Sequence, residues 1–124
     1  MPFSFENLEV YRRTMDFCVS VIDVVDQLDT PRKHYRLIEQ LESSSKAVAL
    51  NISEGKGRFS KKEFKQFLYI ARGSLYETVA MLQIFKKKAL AGSISIHQAI
   101  FTGRRDKQNA LRLNTIHKSM NNNP

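Results

Sequence analysis

A single cysteine, Cys18, among 124 residues rules out an intramolecular disulfide and a cysteine-rich zinc site, and points to a reducing compartment. No apolar run approaches the roughly 18 residues that a membrane span needs. The opening Met-Pro-Phe-Ser-Phe-Glu-Asn also lacks the charge pattern of a signal peptide, so a cytosolic protein is expected. Three prolines and five glycines leave little punctuation for a strand-and-turn protein. Acidic residues are scarce in one half only. Residues 1–55 hold six Lys/Arg against nine Asp/Glu, whereas residues 56–124 hold fourteen against three. What remains is 42% hydrophobic and 26% charged, a globular balance outside the regime of disorder. The length suits one core and excludes a multidomain enzyme.

The apolar residues recur at helical spacing. Leu8, Tyr11, Met15, Cys18, Ile22 and Val25 step by 3, 4, 3, 4 and 3, which predicts a first helix over about 6 to 28. Asp29-Thr30-Pro31 supplies a turn, with Thr30 as N-cap and Pro31 at the first helical position, where its missing N–H costs nothing. Ile38, Leu41, Ser45, Val48 and Ile52 repeat the rhythm and predict a second helix over about 32 to 54. Its Ser43, Ser44, Ser45, Ala47 and Ala49 keep it thin enough for a neighbour to approach. Gly55 is placed as a left-handed C-terminal cap, with Gly57 loosening the connection. Ser60-Lys61-Lys62-Glu63 is a capping box, in which hydroxyl and carboxylate satisfy each other's orphan backbone donors.

From there Phe64, Leu68, Ala71, Leu75, Thr78, Leu82, Phe85 and Ala89 carry one seam along a third helix of about 25 residues, roughly 37 Å long and stopped by Gly92. Ile96 and Ile100, then Leu113, Ile116 and Met120, fit a fourth, weaker helix interrupted at Gly103-Arg104-Arg105-Asp106. The expected fold is all-α, an antiparallel up-down four-helix bundle over residues 1–120, followed by a frayed tail at 121–124. The third helix has more to bury than one seam. Phe67, Ile70, Met81 and Ile84 widen its apolar arc to roughly 200°, against about 100° for an ordinary amphipathic helix. Gly73 and Ala80 edge that surface, so a subunit interface and a homo-oligomer are expected.

A second stripe of the same helix carries Lys61, Lys65, Tyr69, Arg72, Tyr76, Gln83 and Lys87 at helical spacing. Cations interleaved with phenols suit phosphate contacts together with stacking or hydrogen bonding to sugar and phosphate. The run Lys86, Lys87, Lys88 and the run Arg104, Arg105, Lys107 extend the charge. This composition predicts an RNA- or DNA-binding face with little sequence preference and steep salt dependence. A solvated helix face is the plainer explanation of such a stripe. A membrane partner is not expected, because the apolar side of the helix is already committed to packing.

No catalytic constellation emerges. His34, His97 and His117 lack ligand partners at i+3 or i+4, so no metal is expected. Gly55-Lys56-Gly57 lacks the spacing of a phosphate loop, and Cys18 lies on a helix seam as a small hydrophobe. Glu54 and Glu77 read as structural carboxylates, not as an acid–base pair. No cofactor is implied, and a nuclease is disfavoured for want of a carboxylate cluster or a histidine pair.

Leu8-Glu9-Val10-Tyr11, Gln40-Leu41, Asn51-Ile52-Ser53-Glu54-Gly55, Phe64 with Phe67-Leu68, and Ala71-Arg72-Gly73-Ser74-Leu75-Tyr76-Glu77 occur in order. In these elements, across about residues 3 to 90, the chain resembles the four-helix bundle proteins of the 23S rRNA intervening-sequence family. The resemblance implies a small bacterial bundle, similar to members that assemble as homopentamers. A related branch looks like the accessory protein of diversity-generating retroelements, which binds nucleic acid and a reverse transcriptase, so a protein-interaction scaffold is the alternative function. By the same analogy Asn51 and Glu54 tie the turn between the second and third helices through buried hydrogen bonds. Ser53 stands where alanine is common in the family, and residues 91–124 do not follow its usual fourth helix.

Overall fold

The computed structural model describes residues 3–28, 34–88 and 93–106. After a short 3-10 turn at Ser4–Asn7, four helices follow: α1 Glu9–Asp26, α2 Tyr35–Lys56, α3 Lys61–Lys87 and α4 Ser93–Asp106. No strand occurs among the described residues. Helix α1 packs on α2 and α4, and α3 packs on the same two, so α1 and α3 face each other across a diagonal. Paired side chains set the directions. Gln40 meets Glu77, Ser44 meets Thr78, and Gly55 lies against Phe64 and Phe67, so α2 climbs as α3 descends. The result is an antiparallel four-helix bundle.

The core is built from Phe17, Val21 and Val24 of α1, Leu41, Val48 and Ile52 of α2, Phe64, Leu68, Leu75, Leu82 and Phe85 of α3, and Ile96, Ala99 and Ile100 of α4. Each large apolar side chain so buried contributes about 1.5–3 kcal/mol relative to exposure. Every predicted seam residue of α3 from Phe64 to Phe85 is buried, as are Leu41, Ser45, Val48 and Ile52 of α2. On α1 the period is right and the phase is shifted. Thr14, Phe17, Val21 and Val24 form the buried line; of the predicted seam, Cys18 is buried, Leu8, Tyr11 and Val25 pack against the core, and Met15 and Ile22 are exposed. The cause is that α1 has a neighbour on each side. Its buried face is centred between them, with Cys18 toward Ser45 of α2 and Phe17 toward Gly103 of α4.

Two glycines do different work from what their position in the chain implies. Gly55 is not a left-handed cap: α2 continues through it to Lys56, and the C-cap is Gly57 with an ordinary φ of −78°. Gly55 is buried, and a Cβ there would come within 2.5 Å of the Phe67 Cβ. The residue is small so that α3 can cross, not because the chain must turn. Gly103 likewise lies within α4 without interrupting it, where a Cβ would meet Phe17 and Val79 at 2.9 Å. Thr30, Pro31, Ala89, Gly92, Leu113, Ile116, Met120 and the tail at 121–124 lie outside the described residues.

Candidate nucleic-acid interface

One half of the expected capping box, the Ser60 N-cap, sets where α3 begins, and the reciprocal bond from the Ser60 N–H to the Glu63 carboxylate is not formed. The Ser60 hydroxyl accepts from the Glu63 backbone N–H at 3.1 Å, and Ser60 itself stays extended, so the helix starts abruptly at Lys61. The turn before it is tied on the outside. Glu54 pairs with Arg58 at 2.8 Å, and the Arg58 guanidinium sits 5.0 Å from the Phe67 ring centre. Both Glu54 and Arg58 are exposed, and half-buried Asn51 donates to Ala47 of its own helix at 2.8 Å. The expected buried hydrogen bonds across the turn are therefore replaced by a surface ion pair and a cation–π contact. The physical reason is that Phe64 and Phe67 fill the space beneath the turn, against Gly55.

Helix α3 is 27 residues long, roughly 40 Å, and α2 and α4 flank it. The flank against α2 is sealed: the Thr78 and Ser44 hydroxyls meet at 2.8 Å inside the core, and Gln40 donates to Glu77 at its rim. The cationic stripe lies toward the other flank. Lys65, Tyr69 and Arg72 come together, with the Lys65 Nζ 5.8 Å and the Arg72 Cζ 5.0 Å from the Tyr69 ring centre. Such contacts are worth about 0.5–1 kcal/mol each when exposed, and they hold two positive charges over one half-buried phenol. Tyr69 therefore acts first as a seat for its own cations, not as an open stacking platform. Tyr76, two turns further on, is 45% exposed.

Lys61 and Lys87 are exposed at opposite ends of the helix, separated by roughly 39 Å, so the stripe is a track and not a cluster. Gln83 is exposed between them. From α4, Arg104 joins the track. It lines a pocket of about 240 Å³ with Leu75, Tyr76, Val79, Ala80, Gln83 and Gly103. Helical spacing on α3 alone gave no sign of this pocket, because it depends on the register of α4. Arg105 faces away, into a smaller cleft with Arg13, Asp16 and Thr102. Lys107 lies outside the described residues.

The wide apolar arc is divided by the fold. Met81 is buried and Phe67 half-buried, which corrects the expectation that one core cannot cover them. Ile70 and Ile84 stay 51% and 49% exposed, and nothing lies within 4 Å of where a Gly73 Cβ would be.

Among the described residues there is no group of three or more His, Cys, Asp or Glu able to hold a metal ion. His97 is exposed, His34 half-buried, and His117 outside the described residues. Cys18 is 7% exposed against Ser45. Glu54 is held by Arg58 in the turn that follows α2, and Glu77 accepts from Gln40 of α2. None of the described helices is long and apolar enough to cross a membrane.

The family model described as 23S rRNA-intervening sequence protein matches residues 6–98. The chain belongs to that family. No curated protein matches it. The region matched by the 23S rRNA-intervening sequence family takes in α1, α2, α3 and the first six residues of α4, and so holds the whole α3 track. Arg104, which completes the pocket, falls beyond it.

Proposed function

We propose that this chain is a non-enzymatic, cytoplasmic, self-associating bundle that binds structured RNA or DNA with little sequence preference along the basic face of α3. The observation that carries the reading is the convergence of Lys65 and Arg72 on Tyr69, in line with exposed Tyr76, on the flank of α3 that α2 leaves uncovered. Lysine and arginine neutralise phosphates and release counterions, which supplies most of the binding free energy and none of the sequence discrimination. The carboxylates do not interfere: α3 has only Glu63 and Glu77, one at the helix start and one engaged with Gln40 of α2.

Electrophoretic mobility shift across a salt series, with an rRNA insertion stem and a random duplex, tests the reading. Both should be retained at low salt and released steeply as salt rises. Reversal of Lys61, Lys65, Arg72 and Lys87 to Glu should abolish retention, and intact retention would remove α3 as the site.

Self-association is supported by Ile70 and Ile84, which stand half exposed beside Gly73. The pentamer that the family resemblance implies predicts a light-scattering mass of five copies, and a monomer at micromolar concentration would refute it. The same exposed isoleucines favour a second reading, a scaffold that docks a protein such as a reverse transcriptase. Indifference to both nucleic acids at low salt would favour that scaffold.

A further inference from the structure

We propose that the pocket between α3 and α4 receives one unpaired nucleobase of the bound nucleic acid, a proposal that rests on the nucleic-acid reading of α3. Tyr76 and Gln83 are seven residues apart on one helix, which sets them two turns apart, roughly 10 Å along the axis, and nearly one above the other. Between them stands Ala80, four residues after Tyr76 and three before Gln83, and its methyl group leaves the gap that the two long side chains frame. Leu75 and Val79 make an apolar floor, while α4 closes the far side with Gly103 and Arg104. Gly103 brings α4 that close because a side chain there would strike Phe17 and Val79.

The chemistry of the lining matches a base better than its alternatives. A phosphate alone would gain nothing from Leu75 and Val79, and an alkyl chain would strand the Gln83 amide and the Arg104 guanidinium. A planar heterocycle uses all of them: apolar contact for its faces, a phenol ring for stacking, and an amide that both donates and accepts for its edge. Arg104 is positioned for the phosphate of the same nucleotide. Lys65 and Arg72 on one side, and Lys87 on the other, supply cations for the strand entering and leaving. A base in a perfect duplex must first be unstacked and unpaired at a cost of a few kcal/mol, whereas a bulged base has little left to lose.

Fluorescence anisotropy with the full chain compares an RNA hairpin having an uninterrupted stem with the same hairpin carrying one bulged adenosine. The unaltered protein should prefer the bulged hairpin by about tenfold, the scale of one stacked base. Ala80→Leu fills the gap and leaves every cation in place, so it should erase the preference while the affinity for the uninterrupted stem stays within about twofold. Ala80 is exposed, so the core is untouched, and because it also edges the apolar surface of α3, a thermal melt by circular dichroism checks the fold and an unchanged light-scattering mass checks the assembly. Gln83→Ala, also at an exposed position, should reduce the preference by about threefold through loss of the edge contact. Equal retention of both hairpins by the unaltered chain, or a preference that survives Ala80→Leu, overturns the pocket and leaves the charge track standing. Retention of neither hairpin at low salt overturns both.

Discussion

Helix α3 has two flanks with opposite characters. Toward α2 its polar groups are answered within the protein: Thr78 by Ser44, Glu77 by Gln40, with Gly55 letting Phe67 close the lower end. Toward α4 the bundle comes together at Gly103 and Val79, yet beside that contact it leaves a pocket with an amide, a phenol and a guanidinium around its mouth. A buried polar group without a partner costs free energy, so a sealed flank must satisfy its own. On the open flank the exposed Gln83 amide can turn to water or to a ligand. The difference places fold-stabilising contacts on one side of the helix and, on the proposed reading, recognition on the other, and each can be broken separately.

The largest effect is expected on the open flank. Exchanging Lys61, Lys65, Arg72 and Lys87 for Glu should weaken nucleic-acid binding per folded molecule by at least about a hundredfold at moderate salt, while stability falls only by the contribution of the two contacts on Tyr69, about 1–2 kcal/mol. If stability falls much further, the flanks are not separable. On the sealed flank, Gly55→Leu should destabilise the fold by about 3 kcal/mol in urea unfolding, because Phe67 cannot withdraw without α3. Its binding per folded molecule should be unchanged. Ser60→Ala, which removes the hydroxyl that accepts from Glu63, should cost about 1 kcal/mol by the same measurement. The smallest change discriminates most about assembly. Gly73→Ala meets nothing within 4 Å and should stabilise the isolated chain by about 0.5–1 kcal/mol through helix propensity. A fall in light-scattering mass in the same variant would place a second copy against that surface.

How far the sequence reveals this arrangement depends on how local each determinant is. The start of α3 is legible because Ser60 and Glu63 are three residues apart, and the α3 seam because one period runs through it from Phe64 to Phe85. Gly55 misleads because a glycine near a helix end reads the same whether it turns the chain or admits a neighbour. Only Phe67, on the far side of the turn, decides between them. The α1 seam is legible only in part, with Cys18 buried but Met15 and Ile22 exposed, for a related reason: periodicity gives the spacing of a buried face, whereas its direction is set by how many helices surround it. The cationic stripe was visible at helical spacing, but the stacking of Lys65 and Arg72 on Tyr69 depends on rotamers. The pocket depends on where Gly103 and Arg104 fall against Tyr76 and Gln83, which no window within α3 contains.

Cys18 offers a use that its chemistry would not advertise. The chain's sole thiol lies buried between α1 and α2 beside the Ser45 hydroxyl, so a disulfide reagent reaches it far faster in molecules whose first two helices have parted. Its modification rate in native buffer is then a stopwatch for spontaneous opening of the bundle, read without denaturant and without adding a label.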